Sequence, residues 1–133
     1  TIVNNDGILK SYNTDYLAAE SLLRAIPPSG NLTKCVLYIL GEGGYSKAVQ
    51  YAAQRLNLSY SIINRTNWKD IKDIRHSTIY NCTPVEHVQH HDSNNFIDCL
   101  ANTDTGRRLG KAQAGHQFEL YTGEPAPQGI FCR

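Results

Sequence analysis

The chain has 133 residues, a length that fits one domain with one hydrophobic core and needs no disulfide or metal staples. Its 13 Lys+Arg and 12 Asp+Glu nearly cancel and hydrophobic residues make up 41%, which excludes a disordered acidic tail and a basic nucleic-acid binder. The apolar runs are a few residues long, too short to cross a bilayer, and no basic segment leads into an apolar signal core. The expectation is a soluble, cytoplasmic protein with no membrane and no nucleic-acid partner. A composition with Met 0 reads as a processed or excised piece of a longer reading frame.

Thr1 to Tyr12 reads as two short strands around Asn5-Asp6-Gly7, a strong hairpin signal. Asn13 or Thr14 then caps a helix whose apolar positions Tyr16, Leu17, Ala19, Leu22, Leu23 and Ile26 recur at helical spacing, and Pro27-Pro28-Ser29-Gly30 stops it. Cys35 to Leu40 is a continuous apolar run, as in a strand covered on both faces, and it runs straight into Gly41-Glu42-Gly43-Gly44. A helical pattern follows from Ser46 to Leu58, then a strand over Ser59–Ile63 that ends in Asn64-Arg65-Thr66. A short polar helix is expected over Trp68–Ile74, a strand over Thr78–Asn81, and a polar, His-rich loop or frayed helix from Val85 to Asn95. Phe96–Leu100 reads as a further strand. The closing helix is expected from Arg107 to Tyr121, weakened by Gly110 and Gly115, with an irregular tail from Gly123.

Strands alternating with helices give βαβ units and a parallel sheet. Within them, a strand, Gly41-x-Gly43-x-x-Ser46 and a helix form the dinucleotide-binding arrangement with Ser at the third small position. The first Gly permits the tight turn, the second lets a pyrophosphate approach the backbone, and phosphate meets unpaired N–H groups at the helix start. The second strand ends in Asn64-Arg65-Thr66 with no carboxylate, which favours the 2′-phosphate of NADP over the free ribose of NAD. Two residues oppose tight binding: Glu42 brings a carboxylate beside the expected pyrophosphate, and Tyr45 is bulky where close approach favours a small side chain, unless both point to solvent.

Four cysteines, Cys35, Cys82, Cys99 and Cys132, show no C-x-x-C spacing and read as reduced, mostly buried thiols. Asn31, Asn57, Asn64 and Asn81 open glycosylation-type triplets that carry little weight without a signal segment. Glu86, His87, His90, His91 and Asp92 could share a metal on a helix, but the ligand spacing is incomplete and no metal is expected.

Taken in order, the motifs resemble one family, the C-terminal cofactor half of shikimate dehydrogenase. Asp6-Gly7-Ile8-Leu9-Lys10-Ser11-Tyr12-Asn13-Thr14-Asp15 is similar to the family's D-G-x-L-x-G-Y-N-T-D, and Gly41-Glu42-Gly43-Gly44-Tyr45-Ser46-Lys47-Ala48 to G-A-G-G-A-[AS]-[RK]-A. Asn64-Arg65-Thr66 matches N-R-T and Asn81-Cys82-Thr83-Pro84 matches N-[AT]-T-P. Gln113-Ala114 with Gln117-Phe118-Glu119-Leu120-Tyr121-Thr122-Gly123 matches the closing Q-A-x-x-x-F-x-L-[YW]-T-G.

The resemblance implies NADPH-dependent reduction of 3-dehydroshikimate to shikimate, in aromatic amino-acid biosynthesis. It makes Asp15 the aspartate of a catalytic Lys–Asp pair touching the substrate hydroxyls, and Gln113 a substrate ligand from the closing helix. Gly41, Gly43 and Gly44 would hold the pyrophosphate, Asn64, Arg65 and Thr66 the 2′-phosphate end, and Thr83 and Gly106 the nicotinamide side. Without the resemblance, Asp15 is a first-turn carboxylate that favours the helix dipole, and Gln113 a helix surface residue.

The substrate domain that carries the catalytic Lys is absent from these residues, and Lys10 is no substitute for it. The stretches between Thr66 and Thr78 and between Asp98 and Gln113 are abbreviated relative to the family. The expected fold is a reduced Rossmann-like three-layer α/β domain with a mainly parallel sheet of four or five strands. It would span 1–133, with hairpin and linking helix over 1–30, the Rossmann core over 35–104 and the closing helix and tail over 105–133. Expected partners are the small-molecule substrate, if the other half is present, with a homodimer left open. The alternative is a non-catalytic module of the same fold that keeps nucleotide binding or only the architecture.

Overall fold

Asp6 and Gly7 both adopt left-handed backbone conformations, with φ of 51° and 86°, as a two-residue hairpin turn of the primed type requires. They join β1 (Ile2–Asn5) to β2 (Ile8–Ser11) in an antiparallel ribbon with Asn5 opposite Ile8, and Asn4 Oδ1 accepts the Gly7 N–H at 2.9 Å. The computed structural model describes residues 1–11, 13–24, 36–100 and 103–127. The expected helix stop at Pro27–Gly30, together with Ile26, Cys35 and Cys132, lies outside them.

Helix α1 (Thr14–Arg24) starts where Asn13 Oδ1 accepts the Asp15 N–H at 3.0 Å, and it buries Ala18, Ala19, Leu22 and Leu23. The four strands β3 (Leu37–Leu40), β4 (Tyr60–Ile63), β5 (Thr78–Asn81) and β6 (Asn95–Asp98) form one sheet in the order β4-β3-β5-β6, with every pairing parallel. Helix α2 (Gly44–Arg55) crosses from β3 to β4, a six-residue 3₁₀ helix (Trp68–Asp73) leads back to β5, and α3 (Asp104–Thr122) follows β6.

Strand alternation divides the core in two. Leu37, Ile39, Tyr80 and Ile97 face the side covered by α1, α2 and Leu109 of α3. Leu40, Ile63 and Ile79 face the other side, where Ile71 and Ile74 cover them with help from Trp68 and Phe96. This second covering is the short 3₁₀ helix and loop, so the third layer is thin. Each strand is four residues long, and β3 is covered on both faces, with Leu37, Ile39 and Leu40 fully buried and Tyr38 half-buried, which is why its sequence is a continuous apolar run rather than an alternation.

Glu20 is buried on α1 although it is charged. Its carboxylate accepts from Arg24 at 2.8 Å and from Arg55 of α2 at 2.9 Å, and so ties the two helices together. Those contacts, the Arg24 hydrogen bond foremost, hold its carboxyl below the ordinary glutamate range against the opposing effect of burial.

The sheet has four strands among the described residues, the lower of the two expected numbers. Helix α3 begins at Asp104 rather than Arg107, because Thr103 caps it: its Oγ1 accepts the Gly106 N–H at 3.0 Å. Gly110 and Gly115 do not break it, and Gly115 is buried. Helix α2 likewise begins earlier than expected, at Gly44 instead of Ser46. No helix among the described residues is long and apolar enough to cross a membrane.

Candidate functional site

Chain order reverses at β3: one connection leaves toward β4 and the next returns past β3 to β5. In such sheets the crevice lies at the carboxyl ends of the two strands that flank the reversal. Here those ends are Leu40-Gly41 and Asn81-Cys82. The Gly41 N–H donates to the Ile63 carbonyl at 2.8 Å and the Cys82 N–H to the Leu40 carbonyl at 3.0 Å, so three strand ends are locked side by side.

Gly41 takes φ of +103°, and a Cβ there would come within 2.9 Å of Thr83 Cγ2 and 3.5 Å of the Cys82 carbonyl oxygen. Only glycine fits this turn. Its carbonyl accepts from Ser46 Oγ at 2.7 Å, and Ser46 is fully buried. Ser at the third small position therefore packs closely and also satisfies the backbone of the first Gly.

Gly43 is the N-cap of α2, extended, with no side chain to cap the helix, and no acidic residue occupies the first turn. The leading amides of α2 thus keep their hydrogen-bonding capacity, and no carboxylate within the first turn offsets the positive end of the helix. A Cβ on Gly43 or Gly44 would meet nothing within 4 Å, so open space lies in front of both. Gly41, Glu42 and Gly43 line a cleft of about 700 Å³, and Gly44 is exposed beside it.

The opposite walls of this cleft use one device twice. Asn64 Oδ1 accepts from the Thr66 N–H at 2.9 Å and from Thr66 Oγ1 at 2.6 Å. Asn81 Oδ1 accepts from the Thr83 N–H at 3.0 Å and from Thr83 Oγ1 at 2.6 Å. Both are Asx turns that end a strand and bring a threonine to the cleft. The triplets Asn64-Arg65-Thr66 and Asn81-Cys82-Thr83, which match a glycosylation pattern, are used here as turns that flank the glycine loop. Asn81 is fully buried, and its Nδ2 donates to the Val85 carbonyl at 3.0 Å and to Asp98 Oδ1 at 3.3 Å. Sequence reasoning assigned no site role to Asn81 or Asp98; the Asn-x-Thr recurrence was the available signal for the first.

Arg65 is exposed on the cleft wall and enters no ion pair among the described residues. Glu42 is exposed at the rim of the cleft, where its Oε1 accepts from Asn64 Nδ2 at 3.2 Å. Tyr45 does not crowd the glycine turn either. Its ring packs on the core beneath the helices and its hydroxyl pairs with that of Tyr80 at 2.9 Å. Burial pushes both phenols well above the ordinary range, so both stay neutral. The steric objection raised by Tyr45 is thereby removed.

Tyr45 instead lines a second, smaller cleft of about 300 Å³ together with Asp15, Cys99, Gly106 and Gln113. Gln113 Nε2 donates to Asp15 Oδ1, so the two residues expected to meet substrate are in contact. Gly106 is buried here, at the start of α3, where a Cβ would overlap the Leu100 carbonyl oxygen. Cys82 belongs to the larger cleft and Cys99 to the smaller, and burial raises both thiols above the usual range. Lys10 is exposed on β2 and lines neither cleft.

The His-rich segment makes local contacts. His90 stacks on Phe96 with ring centroids 4.4 Å apart, and His91 Nδ1 pairs with Ser93 Oγ at 2.8 Å. Among the described residues no group of three or more His, Cys, Asp or Glu side chains is placed to hold a metal ion.

No protein-family model matches the chain. In sequence it is 37% identical over 78 residues to a shikimate dehydrogenase (NADP(+)) of Saccharolobus islandicus, covering 56% of this chain and 28% of that protein, in its C-terminal part. A shikimate dehydrogenase (NADP(+)) of Caldanaerobacter subterraneus is 40% identical over 67 residues, 50% of this chain and 23% of the relative. In structure, a shikimate 5-dehydrogenase-like protein superposes with a TM-score of 0.73 at 22% identity, over 98% of this chain and 63% of that one. A chorismate mutase/shikimate 5-dehydrogenase fusion protein from Clostridium acetobutylicum gives 0.73 at 17% identity, over 98% and 62%. The chain is similar to the C-terminal part of shikimate dehydrogenases and has a Rossmann-like α/β fold. The matched segment is little more than a quarter of the first curated relative.

Proposed function

We propose that this chain is the dinucleotide-binding half of a shikimate dehydrogenase-like oxidoreductase and holds NADP(H) in the 700 Å³ cleft. The observation that carries the reading is the glycine turn: a position that excludes any Cβ, an uncapped helix start with open space before it, and a cation on the facing wall. These residues fit a diphosphate with an anionic sugar end. The first-turn amides of α2 donate to the diphosphate, Arg65 pairs with the 2′-phosphate, and Thr83, fixed by Asn81, meets the nicotinamide side. Arg65 and Thr66 stand where NAD sites place an acid, and the curated relatives carry NADP(+) in their names.

When bound, the reduced cofactor supplies a hydride for a ring ketone such as that of 3-dehydroshikimate. Asp15 contributes a hydroxyl acceptor at the edge of the smaller cleft, and Gln113 orients it while keeping its carboxamide oxygen for substrate. Tyr45, a neutral phenol paired to Tyr80, acts as a wall and donates no proton to the forming alkoxide. In this reading turnover requires the family's Lys-bearing half to close the substrate cleft. The chain alone binds cofactor without turning over.

A second reading, a non-catalytic nucleotide-binding module, draws support from the Tyr45 ring, which narrows the cleft that Asp15 lines. Titrating NADPH fluorescence with the chain tests the cofactor role. Saturable binding that Arg65→Ala weakens about tenfold is expected from the loss of one phosphate-pairing cation. No binding at millimolar cofactor would contradict it. Adding a Lys-bearing substrate half separates the two readings, because only the oxidoreductase then reduces 3-dehydroshikimate.

A further inference from the structure

The acid that the end of β4 lacks is delivered there by another element. Glu42 sits between the two glycines of the turn after β3, and its carboxylate reaches across to Asn64 Nδ2 at 3.2 Å. Asn64 cannot easily swing away, because its Oδ1 is occupied by both the N–H and the hydroxyl of Thr66. Asn64 N–H in turn donates to Asn67 Oδ1 at 2.8 Å, which fixes the strand end. The outcome is a carboxylate held on the same cleft wall as Arg65 and Thr66.

We propose that Glu42 is a specificity-determining residue for the dinucleotide, and that it levels the affinities for the 2′-phosphorylated and unphosphorylated forms. The inference rests on the cofactor reading above and deepens it. A free ribose presents hydroxyl donors that a carboxylate accepts, whereas a 2′-phosphate brings like charge against it. Arg65 pulls the other way: it attracts the phosphate and gains little from the hydroxyl. With both groups on one wall, each form meets one favourable partner. An Asn-Arg-Thr strand end without Glu42 would select the phosphorylated form alone.

The test compares NADPH and NADH titrations of the native chain with Glu42→Gln and Glu42→Ala. Gln keeps an oxygen for Asn64 Nδ2 and removes only the charge, and circular dichroism checks that each variant is folded. Both variants should bind NADPH about tenfold tighter and NADH no tighter, so that the preference for NADPH rises about tenfold and the gain shrinks in high salt. An unchanged NADPH/NADH ratio, with binding intact, would overturn the role of Glu42 and leave the cofactor reading standing. Absence of binding of either dinucleotide to any of the three proteins would overturn both.

Discussion

Gln113, in the middle of α3, donates a hydrogen bond to the carboxylate of Asp15 in the first turn of α1, across 98 positions of sequence. The contact joins the hairpin-proximal helix to the closing helix and fixes the geometry of the smaller cleft. A hydrogen bond to a charged group that is partly buried contributes about 1–2 kcal/mol. Gln113→Ala should therefore lower stability by about that amount in urea unfolding, and Asp15→Asn by less, because the carboxamide keeps an acceptor. Neither change touches the glycine cleft, so NADPH affinity should stay within about twofold of native.

Gly41→Ala combines a left-handed backbone with a Cβ 2.9 Å from Thr83 Cγ2. We expect a loss of about 1–3 kcal/mol in chemical denaturation. Displacing the turn also moves Gly43 and the Thr83 wall, so NADPH binding should fall by more than the stability loss alone would produce. Native-like affinity in a folded Gly41→Ala chain would show that the turn is not the phosphate cradle.

Glu20 makes stability depend on pH. Its folded-state pKa lies below the ordinary 4.5, so its contribution is present above that value and disappears as pH falls through the lower, folded one. Urea midpoints should drop on acidification below about 4.5. Glu20→Gln should be less stable at neutral pH and flatter in that window.

Thr78 lies at the opposite end of β5 from the site, and its buried Oγ1 has no hydrogen-bond partner among the described residues. Thr78→Val replaces the stranded hydroxyl by a methyl of the same shape. It should raise stability by about 1 kcal/mol, measured by thermal or urea unfolding, with dinucleotide affinity unchanged.

Much of this was legible in the sequence, and the reasons differ by element. The strand Thr78–Asn81 and the polar turn from Trp68 have the expected bounds to within a residue, because short apolar runs between turn residues leave few alternatives. Helix α3 starts three residues before the expected Arg107, because a Thr103 cap in a Leu-Ala-Asn-Thr stretch resembles any polar turn in sequence. Tyr45 and Glu42 looked like obstacles to a nucleotide in one dimension. In three dimensions one turns under the helix to Tyr80 and the other reaches Asn64, and neither direction is encoded by local spacing. The Asp15–Gln113 contact is of the same kind: residues from opposite ends of the chain meet only because α1 and α3 share one face of the sheet.

Under the proposed function, the backbone at the end of β3 and the start of α2 receives a dinucleotide. The most direct measurement is an amide-resolved NMR titration of the chain with NADP⁺. Saturable shifts are expected at Gly41, Gly43, Gly44, Arg65 and Thr83, with little change in the hairpin. Shifts absent from the glycine turn at saturating nucleotide, or confined to other surfaces, would contradict it.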